Sequence, residues 1–360
     1  MKKIKLFDPF IDKEEETAIL RVLKSHFWAS GSGIGNVQKF ENSFKKYINC
    51  DQCVAVNSGS AALHLALSLF DLKGKEVILP SLTFISTAHA VIQNGGKPIF
   101  AEVDEKTLCI DPEKINEKIN EKTKIILPVH YAGMSSDLTA IEKISKKNNI
   151  DLVEDAAHAV GTKYNGKKIG TCGKAVCFSF HPVKNLAMPT GGLIAINSKN
   201  AKKIANDLKS KRWCGISDRN ETTYDVTRNG WNYYMNEFSA AVGLVQLKKL
   251  KKMNEIKKSI AKIYSDEIKL ENKMEFNKNC SYHIYWIRIK NRNKFLKEMK
   301  RNGIETGIHY KPVHTMTYYK NKIKLPITEK IGNEIVSIPV HQNLKENEVW
   351  KIIKTINKFS

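Results

Sequence analysis

From about residue 50 onward, short unbroken apolar runs recur along the chain, each separated from the next by a stretch with helical spacing. The runs are Val54–Val56, Val77–Leu79, Ile99–Phe100, Ile125–Val129, Leu152–Val153, Val176–Phe180 and Leu193–Ile196. Between them, Ala61–Leu69, Ile85–Gln93, Pro112–Ile119 and Leu138–Asn148 read as helices. A strand without polar alternation is buried on both faces. Strands that alternate with helices therefore predict an α/β fold with a mostly parallel sheet between helices. A long helical pattern from about Asn236 to Leu270 leads to a different arrangement: a strand at Tyr285–Ile289, a helix at Lys294–Asn302, a polar loop containing Pro312 and Pro326, and a closing helix after Lys345. The chain is too long for one core at 360 residues. We expect a large domain over residues 1–250, with an N-terminal arm over 1–30, and a smaller α+β domain over 251–360.

In parallel sheets, ligands collect beyond the carboxyl ends of the strands. The residues that follow the apolar runs are polar: Asn57-Ser58-Gly59-Ser60, then Ser81 and Thr83, then His130-Tyr131, then Asp155, then Ser179 to Lys184. A parallel sheet would bring these groups to one edge.

The formal net charge of +22 raises nucleic-acid binding as one reading. The excess is nearly all lysine, with seven arginines in the chain. Phosphate and base recognition favours arginine, so a solvated lysine surface is the better account and no nucleic-acid partner is expected. The seven cysteines are an odd number in a chain with no signal-peptide pattern, which points to reduced thiols and a cytoplasmic setting. No apolar run approaches the ~18 residues of a membrane span. Cys50 and Cys53 form a lone C-x-x-C without a second pair, so no metal is expected. Gly31-Ser32-Gly33-Ile34-Gly35 follows no strand, the helix after it reads as polar, and it is not read as a nucleotide fingerprint.

The stretch Cys177-Phe178-Ser179-Phe180-His181-Pro182-Val183-Lys184-Asn185 carries the chemistry. It reads as a buried strand that ends in a hydroxyl, breaks at a proline and presents one lysine. A desolvated lysine loses part of its proton affinity and becomes a usable nucleophile. Asp155, between Leu152-Val153 and Ala156-Ala157, reads as a buried carboxylate that needs a cation. Pyridoxal phosphate asks a protein for these two groups: a lysine for a Schiff base and a carboxylate for the ring nitrogen. Asn57-Ser58-Gly59-Ser60 opens a helix and suits an anion such as the cofactor's phosphate, to which Ser179 could add a hydroxyl. Phe84 could stack on a flat ring or be plain core.

Taken in order, several blocks resemble the DegT/DnrJ/EryC1/StrS family of sugar aminotransferases, which have aminotransferase fold type I. They are Phe40-Glu41, Asn57 to Leu63, Pro80 to Phe84, Glu154-Asp155-Ala156-Ala157-His158, Phe178 to Asn185, Asn232 to Glu237, Gly243 to Leu247 and His309 to His314. The resemblance implies a seven-stranded sheet in the large domain and a homodimer with shared active sites. It implies that Lys184 carries pyridoxal 5'-phosphate, with pyridoxamine 5'-phosphate as intermediate, and that Asp155 pairs with the ring nitrogen. His158 would lie beside the ring oxygen and Phe84 would stack on the ring. Ser58, Gly59, Ser60, Ala61 and Ser179 would surround the phosphate, which Asn236 would reach from the neighbouring subunit. His309, Tyr310 and His314 would line the substrate entrance.

The implied reaction moves an amino group from glutamate to a keto-sugar, most simply a nucleotide-linked one, on the way to amino sugars of surface polysaccharides. Dehydratases of the same family are the nearest alternative, but they replace the lysine with histidine. A non-catalytic regulator is the other, resting on charge alone. Two departures stand out. Met188-Pro189-Thr190 replaces the family's Gly-Glu before the glycine pair, and Tyr234 stands where an arginine is common.

Overall fold

The computed structural model describes residues 3–319 and 323–360. The chain opens with α1 (Lys13–Ser25) and α2 (Asn36–Ile48). There follow β1 (Gln52–Val56), α3 (Gly59–Leu67), β2 (Glu76–Pro80), α4 (Ser86–Gln93), β3 (Lys97–Ala101) and α5 (Pro112–Asn116). After them come β4 (Thr123–Ile126), α6 (Leu138–Asn148) and β5 (Asp151–Asp155). A tight hairpin of β6 (Lys163–Tyr164) and β7 (Lys167–Lys168) leads to β8 (Ala175–Ser179) and β9 (Gly192–Ile196). Then α7 (Ala201–Lys211) and the hairpin β10 (Ile216–Asn220) and β11 (Thr223–Val226) precede the long α8 (Glu237–Glu267). The remainder is β12 (Tyr285–Arg288), α9 (Arg292–Arg301), α10 (Pro326–Glu334), β13 (Ile335–Ile338) and α11 (Glu346–Phe359).

The seven expected runs are the seven strands of the large sheet, in the order β1-β9-β8-β5-β4-β2-β3. Every residue of β2, β8 and β9 is buried, as strands covered on both faces must be. Strand β9 alone runs against its neighbours, pairing antiparallel with both β1 and β8. That one reversal positions the site. It lets the chain return directly from β8 to β9 instead of crossing the sheet, which leaves residues 180–191 at the carboxyl edge of β8. Gly192 is squeezed between Val56 and Ser179, and a Cβ there would lie 2.2 Å from the Ser58 carbonyl oxygen. The loop after β1 therefore crosses directly over the start of β9.

Helix α8 joins two cores. Its first half, with Ala240, Leu250 and Met253, packs among Phe40, Phe44, Phe178 and Phe180. Its second half, with Ile260, Ala261 and Tyr264, packs among Tyr282, Tyr285, Trp286 and Ile352. The expected boundary at residue 250 thus falls inside one unbroken helix. The N-terminal arm is divided too: Ile4 bridges to Ile304 beside the C-terminal core, whereas Asp12 and Glu15 of the α1 start hold Lys249 of α8 at 2.7 and 2.8 Å.

Two segments depart from expectation. Pro326 does not sit in a loop but opens α10, where its missing N–H would have had no helical partner. Helix α2, which reads as polar, buries Val37, Phe40, Phe44 and Ile48 on one face.

A buried ion pair ties α2 to the end of α7. Arg212 is fully buried, and its Nη1 lies 2.6 Å from Glu41 Oε1 and 2.7 Å from the Ala55 carbonyl. Glu41 Oε1 also accepts the Ala55 N–H. Replacing Arg212 with leucine would leave the Glu41 carboxylate buried beside β1, with only Lys209, 3.3 Å from Oε2, as a cation. The expected loss in unfolding free energy is about 3–5 kcal/mol, read as a lower urea midpoint at unchanged slope.

Candidate active site

A cavity of about 290 Å³ lies at the carboxyl edge of β1, β5 and β8. Among its walls are Ser58, Gly59, Ser60, Phe84, Thr87, Asp155, His158, Ser179, His181, Lys184, Thr190, His309 and Tyr310. A larger open groove of about 1330 Å³ runs between α7 and the β10–β11 hairpin; the charged residues of its lining are lysines and arginines with Asp207. The smaller cavity holds the buried Asp155 and His158 together with Lys184.

Lys184 stands on a turn closed by its own N–H to the His181 carbonyl, 2.8 Å. The next residue anchors it. Asn185 donates to Asn254 Oδ1 at 3.0 Å and to the Ser281 carbonyl at 2.7 Å, and accepts from Lys257 Nζ at 2.9 Å. Lys184 opens onto the cavity while protein atoms enclose it elsewhere. Burial draws its pKa down to about 8, against the opposing pull of the Asp155 carboxylate. Its Nζ lies 3.2 Å from His283 Nε2.

Asp155 ends β5 and is buried. Oδ1 accepts the Ala157 N–H at 3.0 Å, and Oδ2 accepts the Thr87 hydroxyl at 2.8 Å. Burial raises its pKa, while these two bonds and the more distant Lys184 and His130 oppose the rise. No cationic side chain makes a hydrogen bond or ion pair to it among the described residues. A carboxylate so enclosed suits a cation that arrives with a ligand.

His158 is buried, and its Nδ1 accepts the Ala132 N–H at 3.2 Å. Burial together with Lys184 and His309 keeps it neutral, with a pKa well below the ordinary value. A neutral ring that accepts at Nδ1 carries its proton on Nε2, which then donates to the Tyr310 oxygen at 3.0 Å. The Tyr310 ring lies 5.9 Å from that of Phe84, and Phe84 is 54% exposed on the rim. His309 bonds Ser337 through Nδ1 at 2.9 Å and has its pKa lowered to about 4 by burial and Lys184.

The start of α3 forms the opposite wall. Ser58 caps the helix by accepting the Ala61 N–H at 3.1 Å, so that amide is committed and Ala61 does not line the cavity. Ser60 and Ser86 share a hydrogen bond of 2.6 Å. A Cβ on Gly59 would lie 2.6 Å from that of Ser179, so the helix start rests on the end of β8. Two helix-start residues, Gly59 and Ser60, and the Ser58, Ser60 and Ser179 hydroxyls thus share one wall, a composition that suits a phosphate.

Two candidates from the sequence lie elsewhere. His314 is buried outside the cavity wall, between Ser81 Oγ at 2.6 Å and Glu329 Oε1 at 3.2 Å. Asn236 caps α8 by accepting the Ser239 N–H at 2.8 Å and bridges to Ala29, away from this chain's cavity. Thr87, Lys257 and His283 were not legible as site residues, and Thr190 entered only through the departure Met188-Pro189-Thr190. Thr87 had one signal, its one-turn spacing from Thr83, which it meets at 2.8 Å.

The residues present fit pyridoxal phosphate. The cavity offers one lysine with lowered proton affinity, a buried carboxylate without a cation, an aromatic face and a hydroxyl-rich helix start. This arrangement on this sheet is that of a fold-type I aminotransferase. The chain belongs to the DegT/DnrJ/EryC1/StrS aminotransferase family, whose profile matches residues 9–357. MJ1066 of Methanocaldococcus jannaschii is 32% identical over 98% of this chain and 96% of its own. PseC of Helicobacter pylori, an aminotransferase involved in the biosynthesis of pseudoaminic acid, superimposes with a TM-score of 0.94 at 27% identity, covering 99% of both chains. The sugar aminotransferase Spr1654 of Streptococcus pneumoniae has been solved in apo, PLP and PMP forms. Its PMP form gives a TM-score of 0.94 at 25% identity over 99% of this chain and 97% of that one.

Proposed function

We propose that the enzyme transfers an amino group from L-glutamate to a nucleotide-linked keto-sugar, with pyridoxal phosphate as cofactor and pyridoxamine phosphate as its aminated form. The observation that carries the reading is Lys184 beside the buried, cation-free Asp155 in one cavity. Pyridoxal phosphate supplies an electrophilic aldehyde carbon and a ring that accepts electrons. The chain's residues do the rest. Asp155 favours a protonated ring nitrogen. Ser58, Gly59, Ser60 and Ser179 would surround the phosphate. Phe84 offers its open face to the ring, and Lys184 Nζ takes a proton from the reacting carbon and returns it.

The likeness to PseC and Spr1654 supports a sugar as amino acceptor. His309 and Tyr310 lie in the cavity wall and suit a role at its entrance. An apolar surface near the N-terminus supports the homodimer: Leu20, Leu23, Trp28 and Ile34 are 46–51% exposed. Asn236 lies beside that surface, because Ala29 bridges to it and Glu237 donates to the Trp28 carbonyl. This supports its reaching the phosphate of a partner's site.

The test begins without a sugar. Cofactor-loaded protein given L-glutamate should release one equivalent of 2-oxoglutarate per active site and lose its visible band. Nucleotide-linked keto-sugars are then screened by mass for the amino product. Release of 2-oxoglutarate without any amino sugar from the panel would overturn the acceptor; no 2-oxoglutarate would overturn the donor.

A further inference from the structure

A histidine from the other core stands behind the lysine. His283 lies just before β12, and its ring is fixed on several sides. Its backbone N–H donates to the Ala132 carbonyl at 2.9 Å. One ring face stacks on Phe7 at 5.5 Å and 18°, and His158 leans against the ring at 4.4 Å. So held, Nε2 lies 3.2 Å from Lys184 Nζ, while Nδ1 is buried with no partner. An unpaired buried polar atom calls for an explanation.

We propose that His283 is a positioning residue of the amino-transfer reaction, the hydrogen-bond acceptor that holds Lys184 Nζ in the cavity when the amine carries a proton. The ring is neutral: burial, then Lys184, His158, Lys257 and His309, all lower its proton affinity. A neutral ring has one lone pair and one N–H. Facing an ammonium that can only donate, Nε2 must present the lone pair, so the ring proton sits on Nδ1. That leaves Nδ1–H unpaired, which accounts for the orphan as the cost of having an acceptor on the other side. No other hydrogen bond to Nζ is made among the described residues. Asp155 attracts the ammonium without bonding it, and the second buried lysine, Lys257, repels it.

The role follows from the reaction. Lys184 takes a proton at Nζ from the carbon that loses it and later gives it back. In that interval Nζ is an ammonium in a desolvated pocket, and His283 Nε2 accepts one of its N–H groups. No proton passes to the histidine.

The proposal rests on the amino-transfer reading for its meaning, so its test has one arm without turnover. Acetylation of Lys184 by acetic anhydride, in full-length protein freed of cofactor, is followed by mass spectrometry against pH. Wild type should show its midpoint near pH 8. His283→Phe keeps the stacking but offers no acceptor, so the midpoint should fall by about one unit, raising the free-amine fraction of Lys184 about fivefold at pH 7. His283→Gln has a carbonyl acceptor and should stay within about half a unit of wild type. In loaded enzyme, His283→Phe should lower kcat by about tenfold or more and leave KM for the amino donor within about twofold. A phenylalanine variant with wild-type melting temperature and an unmoved or raised midpoint overturns the proposal, as does a glutamine variant that shifts as far as phenylalanine. Failure of the amino-transfer reading would appear in wild type as no turnover with any donor, and would leave the acetylation result intact.

Discussion

Lys184→Ala should lose amino transfer almost completely, with kcat down by more than about a thousandfold. Lys184 is the one amine among the described residues of the cavity wall, so no neighbour can take over its attack or its proton. The loss should be chemical and not structural, because Asn185, Asn254 and Lys257 hold the turn through the following residue. The variant should still take up cofactor through Asp155 and the serines, but release it on dialysis. Its pH behaviour gives a second check. Burial lowers the wild-type lysine to about pH 8, since it penalises the ammonium more than the amine. The free amine therefore becomes more abundant as pH rises through about 8, and covalent capture of the cofactor should speed up over the same range and then level. The alanine variant should show no capture at any pH. Turnover by it near the wild-type rate would remove Lys184 from the mechanism.

The large sheet was legible because strands buried on both faces must be apolar throughout, and seven such runs became seven strands. Their spatial order was not, since it depends on pairing between segments far apart in the chain, and neither was the reversal of β9, because an apolar run does not encode its direction. Pro326 misled because proline breaks a helix interior yet suits its first turn. The site divides in the same way. Lys184, Asp155, Ser58, Gly59, Ser60, Phe84, His158 and Ser179 share one cavity because each follows, or ends, a strand at a common edge. His309 and Tyr310 reach it too, but His314, close by in sequence, turns to Ser81 and Glu329 instead. His283 carried no local signal: its meaning lies in an atom 99 positions away.

The departure at residues 188–190 also acquires a physical form. Met188 is buried over two glycines: a Cβ on Gly243 would lie 2.1 Å from its Cε, and one on Gly191 would lie 2.7 Å from its Sδ. Thr190 donates its hydroxyl to the Asn57 carbonyl, at the loop that leads into α3. This segment therefore joins the turn after Lys184 to the helix start with an apolar plug and a neutral hydroxyl. Residues 188–190 carry no carboxylate, so any substrate contact here would be made by neutral groups.

Asp155→Asn should keep the cofactor and lose most of the rate, with kcat lower by about a hundred- to a thousandfold. The substitution is nearly isosteric. The carboxamide oxygen can still accept the Ala157 N–H, and the Thr87 hydroxyl can rotate to accept from the new NH2 because it already has the Phe84 carbonyl as another acceptor. Stability should change little for that reason. What disappears is the negative charge that favours a protonated ring nitrogen. The same charge also raises the proton affinity of Lys184 against burial. Without it the ammonium is less favoured, so the pH at which the lysine frees its proton should fall below about 8. Cofactor capture at neutral pH should become faster even as turnover becomes slower. These opposite movements separate a loss of electrostatic support from simple damage to the site, which would slow both. The measurements are the pH profile of capture, followed at the visible band, and single-turnover release of 2-oxoglutarate. A variant with wild-type turnover, or one whose capture profile moves to higher pH, would place the electrostatic role on another residue.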